Sequence, residues 1–198
     1  MRKTLRAGLV AGALGTMLVL TGCAPSAGDS SPGGHEGHGG NSSDAGGSAH
    51  DHSKMDHPAD GGPAPEGIQT AANPKYPVGT KVKLAADHMA GMDGATATIV
   101  GAFKTYTYSV DYTPVGGGNP VKDHRWVVQE ELENPGAQRL SDGSSVTLLA
   151  EHMTGMKGAK ATIHHSTDET VYMVDYEAGG MKMTNHKWVV ESEIRPAA

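Results

Sequence analysis

Apolar and polar side chains alternate with a period of two through most of the chain after residue 78. In residues 81–88 every second side chain is apolar as far as Ala86, and His88 continues the same face. This alternation predicts a half-buried β-strand. Residues 95–99, 106–112 and 126–128 predict further strands, and glycine-rich breaks separate them. No stretch of this region carries a helical stripe, so we expect an all-β fold.

The strand-rich region contains two copies of one sequence. The aligned pairs are Gly79–Ile99 with Gly143–Ile163, Tyr108–Tyr112 with Tyr172–Tyr176, and His124–Val128 with His186–Val190. Two homologous domains are therefore predicted, at residues 78–133 and 140–195, with a hinge at Asn134. Four or five short strands are too few for a large sandwich, which favours tandem small SH3-like β-barrels. We expect Trp126 and Trp188 to fill their centres.

The first residues predict export and lipidation. A basic start is followed by an apolar run from Ala7 to Leu20, as in a signal peptide, which we place at residues 1–22. The run ends in Leu-Thr-Gly-Cys23, which resembles the bacterial lipobox, so Cys23 is the predicted site of diacylglycerol attachment. The alternative is an ordinary secretory signal. A membrane-spanning helix is not expected, because it needs about 20 apolar residues and this run is shorter. The predicted location is the extracytoplasmic face of the cell membrane.

Composition narrows the class of protein further. Cys23 is the only cysteine, so a lipidated chain has no thiol for a disulfide, a thiolate metal site or a nucleophile. The formal net charge is −6, and removing the basic signal peptide makes the remainder more acidic. An acidic chain is a poor match for nucleic acid, which requires a basic surface, and it suits cations.

Residues 23–77 are rich in Gly, Ser, Pro, Asp and His and poor in large apolar side chains. Such a segment buries too little surface to offset its ordering entropy, so we predict a disordered tether. Short histidine-rich tracts are typical of metal capture. The candidates for secondary metal capture in the tether are His35, His38, His50, His52, Met55 and His57. The alternative is a polar linker that happens to be rich in histidine.

The most distinctive string of the repeat is His-Met-x-Gly-Met-x-Gly-Ala. Two glycines within four residues permit left-handed backbone angles, which allow the turn to fold back and bring its side chains together. Thioethers favour Cu(I) and imidazole binds copper in either oxidation state, whereas zinc rarely recruits thioethers. The candidate copper ligands are His88, Met89, Met92 and His124 in the first copy, and His152, Met153, Met156 and His186 in the second. The alternative is that the methionines are core filler and the histidines are satisfied polar residues.

Enzymatic activity is not expected. The sequence has no Gly-x-Ser-x-Gly and no His-Glu-x-x-His motif. Asp111 and Asp175 recur in Val-Asp-Tyr, and we expect them to bind backbone N–H groups rather than to act in catalysis.

The chain resembles the YdhK-like lipoproteins of Gram-positive bacteria on the strength of His-Met-x-Gly-Met-x-Gly-Ala and His-[Arg/Lys]-Trp-Val-Val, each present twice. The resemblance covers residues 76–194. Some members, such as the staphylococcal lipoprotein CopL, are associated with copper resistance, and this similarity implies copper binding at the His-Met-x-Gly-Met positions.

The leading hypothesis is a non-catalytic, membrane-anchored lipoprotein that sequesters copper for metal tolerance. A second hypothesis is a metal-independent module that adheres to the cell wall or to a protein, favoured by an exposed aromatic groove. Its candidate residues are Tyr106, Tyr108, Tyr112, Tyr172 and Tyr176. A third is a copper chaperone that delivers the ion to an exporter or a secreted oxidase.

Overall fold

The computed structural model describes residues 57–197. The strands in this range are β1 (Gln69–Thr70), β2 (Lys81–Leu84), β3 (Thr96–Lys104), β4 (Thr107–Tyr112), β5 (Val121–Val128), β6 (Ser145–Thr147), β7 (Lys160–Thr167), β8 (Val171–Ala178), β9 (Met181–Val190) and β10 (Ile194–Pro196). Two short 3-10 turns, Gln129–Glu131 and Glu191–Glu193, follow β5 and β9. The described residues contain no helix long and apolar enough to cross a membrane. The predicted all-β class is confirmed.

The strands form two antiparallel sheets that do not close. The first has the order β10-β2-β3-β8-β9, with β1 also paired to β3, and the second has the order β5-β4-β7-β6. Strands β2 to β5 belong to the first sequence repeat and strands β6 to β10 to the second. Each sheet therefore combines half of one repeat with half of the other. The expectation of two separate SH3-like barrels is not confirmed.

The exchange between repeats preserves the pairing of residue types. The paired residues are Ala97 with Tyr176 and Ile99 with Val174 in the first sheet, and Ala161 with Tyr112 and Ile163 with Val110 in the second. These are the pairs that each repeat would form by closing on itself. The two sheets are consequently related by a pseudo-two-fold symmetry that equates the repeats.

The core of the described residues consists of three apolar clusters. The first cluster includes Val82, Leu84, Met92 and Ile99, and the second includes their counterparts Val146, Leu148, Met156 and Ile163. A third cluster contains Trp126 and Trp188 together, with Val128 and Val190. The tryptophans therefore share one cluster instead of filling the centres of separate domains, as we had expected.

The last part of the predicted tether is packed against the fold. Strand β1 pairs with β3, and the Tyr76 side chain is buried and donates a hydrogen bond to the Ile194 carbonyl at 3.3 Å. Ile68 packs against the tryptophan cluster. A disordered tether was predicted as far as residue 77, but residues 57–77 dock because their few apolar side chains find buried positions on the sheets.

Candidate metal centre

A glycine turn after β2 lies between the histidine of the motif and its second methionine. Gly91 and Gly94 adopt positive φ angles of 77° and 75°, and their counterparts Gly155 and Gly158 adopt 76° and 80°. The expected left-handed turn is therefore present in both repeats. Within it the Met92 N–H donates to the Met89 carbonyl at 3.1 Å, which folds the chain back onto the sheet.

Met92 and Met156 are core side chains. Both are fully buried, Met92 in the first apolar cluster and Met156 in the second. An unbranched thioether fills irregular gaps in a small core, and this accounts for both positions. The structure therefore favours core filler for these two candidates.

Met89 and Met153 are each hydrogen-bonded to a tyrosine whose ring lies beside a candidate histidine. The Tyr176 hydroxyl donates to the Met89 Sδ at 3.5 Å, and the Tyr112 hydroxyl donates to the Met153 Sδ at 3.6 Å. The rings of Tyr176 and Tyr112 lie edge-on to two further candidates, with centroids 5.4 Å from His186 and 6.0 Å from His124.

Both of these tyrosine hydroxyls remain protonated at neutral pH. Burial raises the pKa of Tyr112 and of Tyr176 to about 12. Each methionine sulfur thus accepts a hydrogen bond from a neutral tyrosine, and the ring of that tyrosine contacts a candidate imidazole.

A bulge held by an aspartate positions His124 on β5. Asp111 accepts the Asp123 N–H at 2.8 Å and so holds Asp123 at a φ of 47° immediately before the histidine. In the second repeat Asp175 accepts the Asn185 N–H at the same distance. The predicted backbone-binding role of both Val-Asp-Tyr aspartates is confirmed, and its effect is to aim the following histidine inward.

Two glutamates, the buried Glu131 and the half-buried Glu193, orient the motif histidines across the repeats. His152 Nε2 lies 2.8 Å from Glu131 Oε1, and Trp188 Nε1 donates to Glu131 Oε2 at 2.9 Å. Residues of the opposite repeat make the same arrangement, with His88 Nε2 at 2.8 Å and Trp126 Nε1 at 2.9 Å from Glu193.

Both glutamates are ionised. Burial alone would raise the pKa of Glu131, but the adjacent, hydrogen-bonded His152 ring and the hydrogen bond of Trp188 outweigh it and hold the pKa low. Glu193 is held low in the same way, its largest favourable contribution being the hydrogen bond of His88. An ionised carboxylate only accepts hydrogen bonds, so each motif histidine carries a proton on Nε2 and turns Nδ1 away from the glutamate.

Four candidate histidines, one pair from each repeat, lie near one another between the sheets. His88, His124, His152 and His186 are hereafter the histidine cluster, and the ring centroids of His124 and His152 are 6.1 Å apart. His57 lies beside them, with its centroid 6.4 Å from His124 and 6.5 Å from His186. The candidate histidines of the two repeats thus lie beside each other, which one ligand set in each repeat did not predict.

The histidine cluster contains neutral imidazole at neutral pH. Burial, together with the nearby His88, His57 and His152, lowers the pKa of His186 to about 3. Three ring nitrogens, His88 Nδ1, His152 Nδ1 and His186 Nε2, are buried without a hydrogen-bond partner among the described residues. No three His, Cys, Asp or Glu side chains within residues 57–197 already converge at metal-ligand distance.

The sequence analysis missed Glu131 and Glu193. Both follow the Trp-Val-Val string at the same spacing from their repeat's histidine, so extending the alignment past Val128 and Val190 would have found them. The predicted lipidation site Cys23 and the tether candidates His35, His38, His50, His52 and Met55 lie outside the described residues.

The family model described as "Protein of unknown function (DUF1541)" matches residues 78–129 and 142–191. The chain belongs to the DUF1541 family. The two matched segments correspond to the two sequence repeats, so each repeat is one DUF1541 unit. The YdhK resemblance is confirmed at the same time.

This DUF1541 chain is similar to the YdhK protein of Bacillus subtilis. It is 49% identical over 145 residues to the protein named "Uncharacterized protein YdhK", across 72% of this chain and 70% of that protein. A crystal structure of the DUF1541 family protein ydhK is 48% identical, with a TM-score of 0.67 over 69% of this chain and 94% of that one. A solution NMR structure of the ydhK C-terminal domain is 48% identical, with a TM-score of 0.58 over 61% and 92% of the two chains.

The aromatic groove that would favour an adhesion module is not exposed. Tyr108, Tyr112, Tyr172 and Tyr176 are buried, and Tyr106 is partly buried against the second apolar cluster. These side chains therefore pack into the sheets of this DUF1541 fold, and only Tyr106 keeps a partly exposed surface.

Proposed function

We propose that this protein is a lipid-anchored, extracytoplasmic copper-binding protein that sequesters copper at the histidine cluster, without catalytic turnover. One observation carries the proposal: in the histidine cluster, three ring nitrogens contributed by both repeats are buried without a hydrogen-bond partner among the described residues. Leaving a buried polar group unsatisfied costs about 1–3 kcal/mol. A bound metal ion would satisfy these nitrogens and offset that cost.

The spacing of the rings is compatible with a shared ion. An imidazole nitrogen lies about 2 Å from a bound transition metal, which places two ligating ring centroids as much as about 6 Å apart. The separation of 6.1 Å between His124 and His152 lies at the upper end of this range. Binding would therefore draw the rings slightly closer together.

The surroundings of the cluster suit a metal centre. A ligating histidine usually donates its other ring N–H to a carboxylate, which fixes its tautomer. Glu131 and Glu193 accept that hydrogen bond from His152 and His88, so each Nδ1 is available to an ion. The Met89 and Met153 sulfurs beyond the tyrosines provide soft groups nearby, which favours copper over zinc.

Anchoring and export complete the proposal. The lipobox-like string at Cys23 supports attachment to the membrane, and the histidine-rich tether supports capture of metal near that surface.

Tryptophan fluorescence offers a test that is specific to the cluster. Trp126 and Trp188 are the only tryptophans of the chain, and the Trp126 ring centroid lies 6.4 Å from that of His88. Copper bound at the cluster lies close to this ring and should quench the fluorescence. We expect Cu(II), titrated into the full chain in detergent, to quench with a defined stoichiometry and sub-micromolar affinity.

The control variants separate the cluster from a surface histidine. The double variant His124→Leu, His186→Leu should lose tight quenching, and His165→Ala should retain it. His165 is exposed, but its centroid lies 6.5 Å from that of Trp126, so it would also quench if it held the ion. Quenching that is micromolar or weaker, or that persists in the double variant, would reject the proposal.

A further inference from the structure

A short strap, residues 57–62, is seated on the edge of β9 just before His186. The Gly61 N–H donates to the Thr184 carbonyl at 2.9 Å, and the Thr184 N–H donates to the Ala59 carbonyl at 2.8 Å. A Cβ atom at Gly61 would lie 2.1 Å from the Asn185 carbonyl oxygen, so only glycine permits this close approach. The strap therefore occupies a seat that is shaped to its backbone.

The strap recognises the second repeat and not the first. The Asp60 carboxylate accepts a hydrogen bond from the Asn185 side-chain amide at 3.0 Å. The equivalent position of the first repeat is Asp123, whose carboxylate would repel Asp60 and already pairs with Arg125 at 2.9 Å. The strap thus breaks the pseudo-symmetry of the two repeats and gives the histidine cluster one distinct side.

His57 begins the strap and lies between the cluster and an open pocket. Its ring faces both His124 and His186 at centroid separations of 6.4 and 6.5 Å. It also lines a pocket of about 470 Å³ together with Met153 and Glu151. His57 is partly buried, whereas His124 and His186 are each only 5% exposed. His57 thus lies beside the buried cluster and also lines the pocket.

We infer that His57 is the transfer ligand through which copper passes between the pocket and the histidine cluster. The imidazole binds the ion on the pocket side, and the cluster rings replace it by ligand exchange, with no change in oxidation state. This inference rests on the proposed function, and it assigns to His57 a role in rate that is separate from storage in the cluster.

The test measures loading and release of the full chain in detergent. Stopped-flow mixing with Cu(II) follows the loss of tryptophan fluorescence, and mixing of the loaded protein with excess EDTA follows its recovery. For His57→Ala we expect both rates to fall roughly tenfold, since the ion must then wait for a local opening of the buried cluster. The final extent of quenching should be unchanged.

Matched variants test whether the docked position of the strap affects the rate of copper loading. Gly61→Val should unseat the strap and slow loading as His57→Ala does, although His57 is intact. Asp60→Ala weakens the same seat without adding bulk, and it replaces Gly61→Val if the valine variant does not fold. His165→Ala, which removes an exposed histidine outside both the strap and the tether, should load at the wild-type rate.

Each possible outcome bears on the inference. Unchanged or faster loading in His57→Ala would overturn it, and faster loading would identify His57 as a barrier. Equal slowing in His165→Ala, or normal loading with the strap unseated, would also overturn it. Absence of quenching in the wild-type chain would instead refute the proposed function, and the inference with it.

Discussion

Replacing His186 with leucine should weaken copper binding without lowering the free energy of unfolding of the apoprotein. The His186 side chain is buried and neutral, and its Nε2 has no hydrogen-bond partner among the described residues. An unsatisfied buried polar atom costs about 1–3 kcal/mol, and its replacement by an apolar group of similar size is neutral or stabilising. Lost packing against the Tyr176 ring offsets part of that gain. We therefore expect the apoprotein of His186→Leu to be as stable as the wild type or up to about 1 kcal/mol more stable.

Urea unfolding of the apoproteins measures this change, and the fluorescence titration measures copper affinity. The wild type should lose stability as the pH falls from about 6.5 to about 3, because the unfolded chain binds a proton that buried His186, beside His88, His57 and His152, does not. The variant should lose less over this range. An apoprotein destabilised by about 2 kcal/mol or more, with copper affinity unchanged, would make His186 a structural residue and refute the reasoning.

Three further results are expected. Glu131→Gln should lower copper affinity about 10–100-fold, because an amide no longer fixes the proton on His152 Nε2, while the exposed Glu133→Gln serves as the matched control in the same titration. Met156→Leu should cost less than about 1.5 kcal/mol in urea unfolding and leave copper affinity unchanged, and a loss of affinity would restore this core methionine as a ligand. Cys23→Ser should move the protein from the membrane fraction to the medium in a bacterial host, and unchanged membrane association would argue against a lipid anchor.

The all-β class and the strand positions were predictable because alternation reports directly on which face of a strand is buried. Val82, Leu84 and Ala86 are buried as expected, although β2 ends at Leu84 and His88 lies in the following turn. The roles of Asp111 and Asp175 were also predictable, since a short acidic side chain beside a strand end commonly binds a backbone N–H.

The exchange of strands between repeats was not predictable from the pattern. Ala97 would face a tyrosine whether β3 paired with β4 of its own repeat or with β8 of the other. Identical local contacts leave the choice to the connections and to the shared tryptophan cluster, which no short-range pattern reports. The error carried over to the site, because separate domains implied one ligand set in each.

The candidate histidines and the candidate methionines of the motif occupy different environments in the fold. The sequence predicts that imidazole and thioether groups are adjacent, but only packing decides which of them point away from the apolar core. Met92 fills that core, whereas His88 reaches Glu193 on the other repeat. His57 could not be distinguished from other tether histidines, because its seat depends on the backbone approach of Gly61.

The most direct measurement is the location of copper in crystals of the loaded protein by anomalous diffraction at the copper edge. The account predicts a peak within coordination distance of imidazoles from both repeats, among His88, His124, His152 and His186. Copper found elsewhere on the chain, with those four rings no closer than in the metal-free fold, would contradict it.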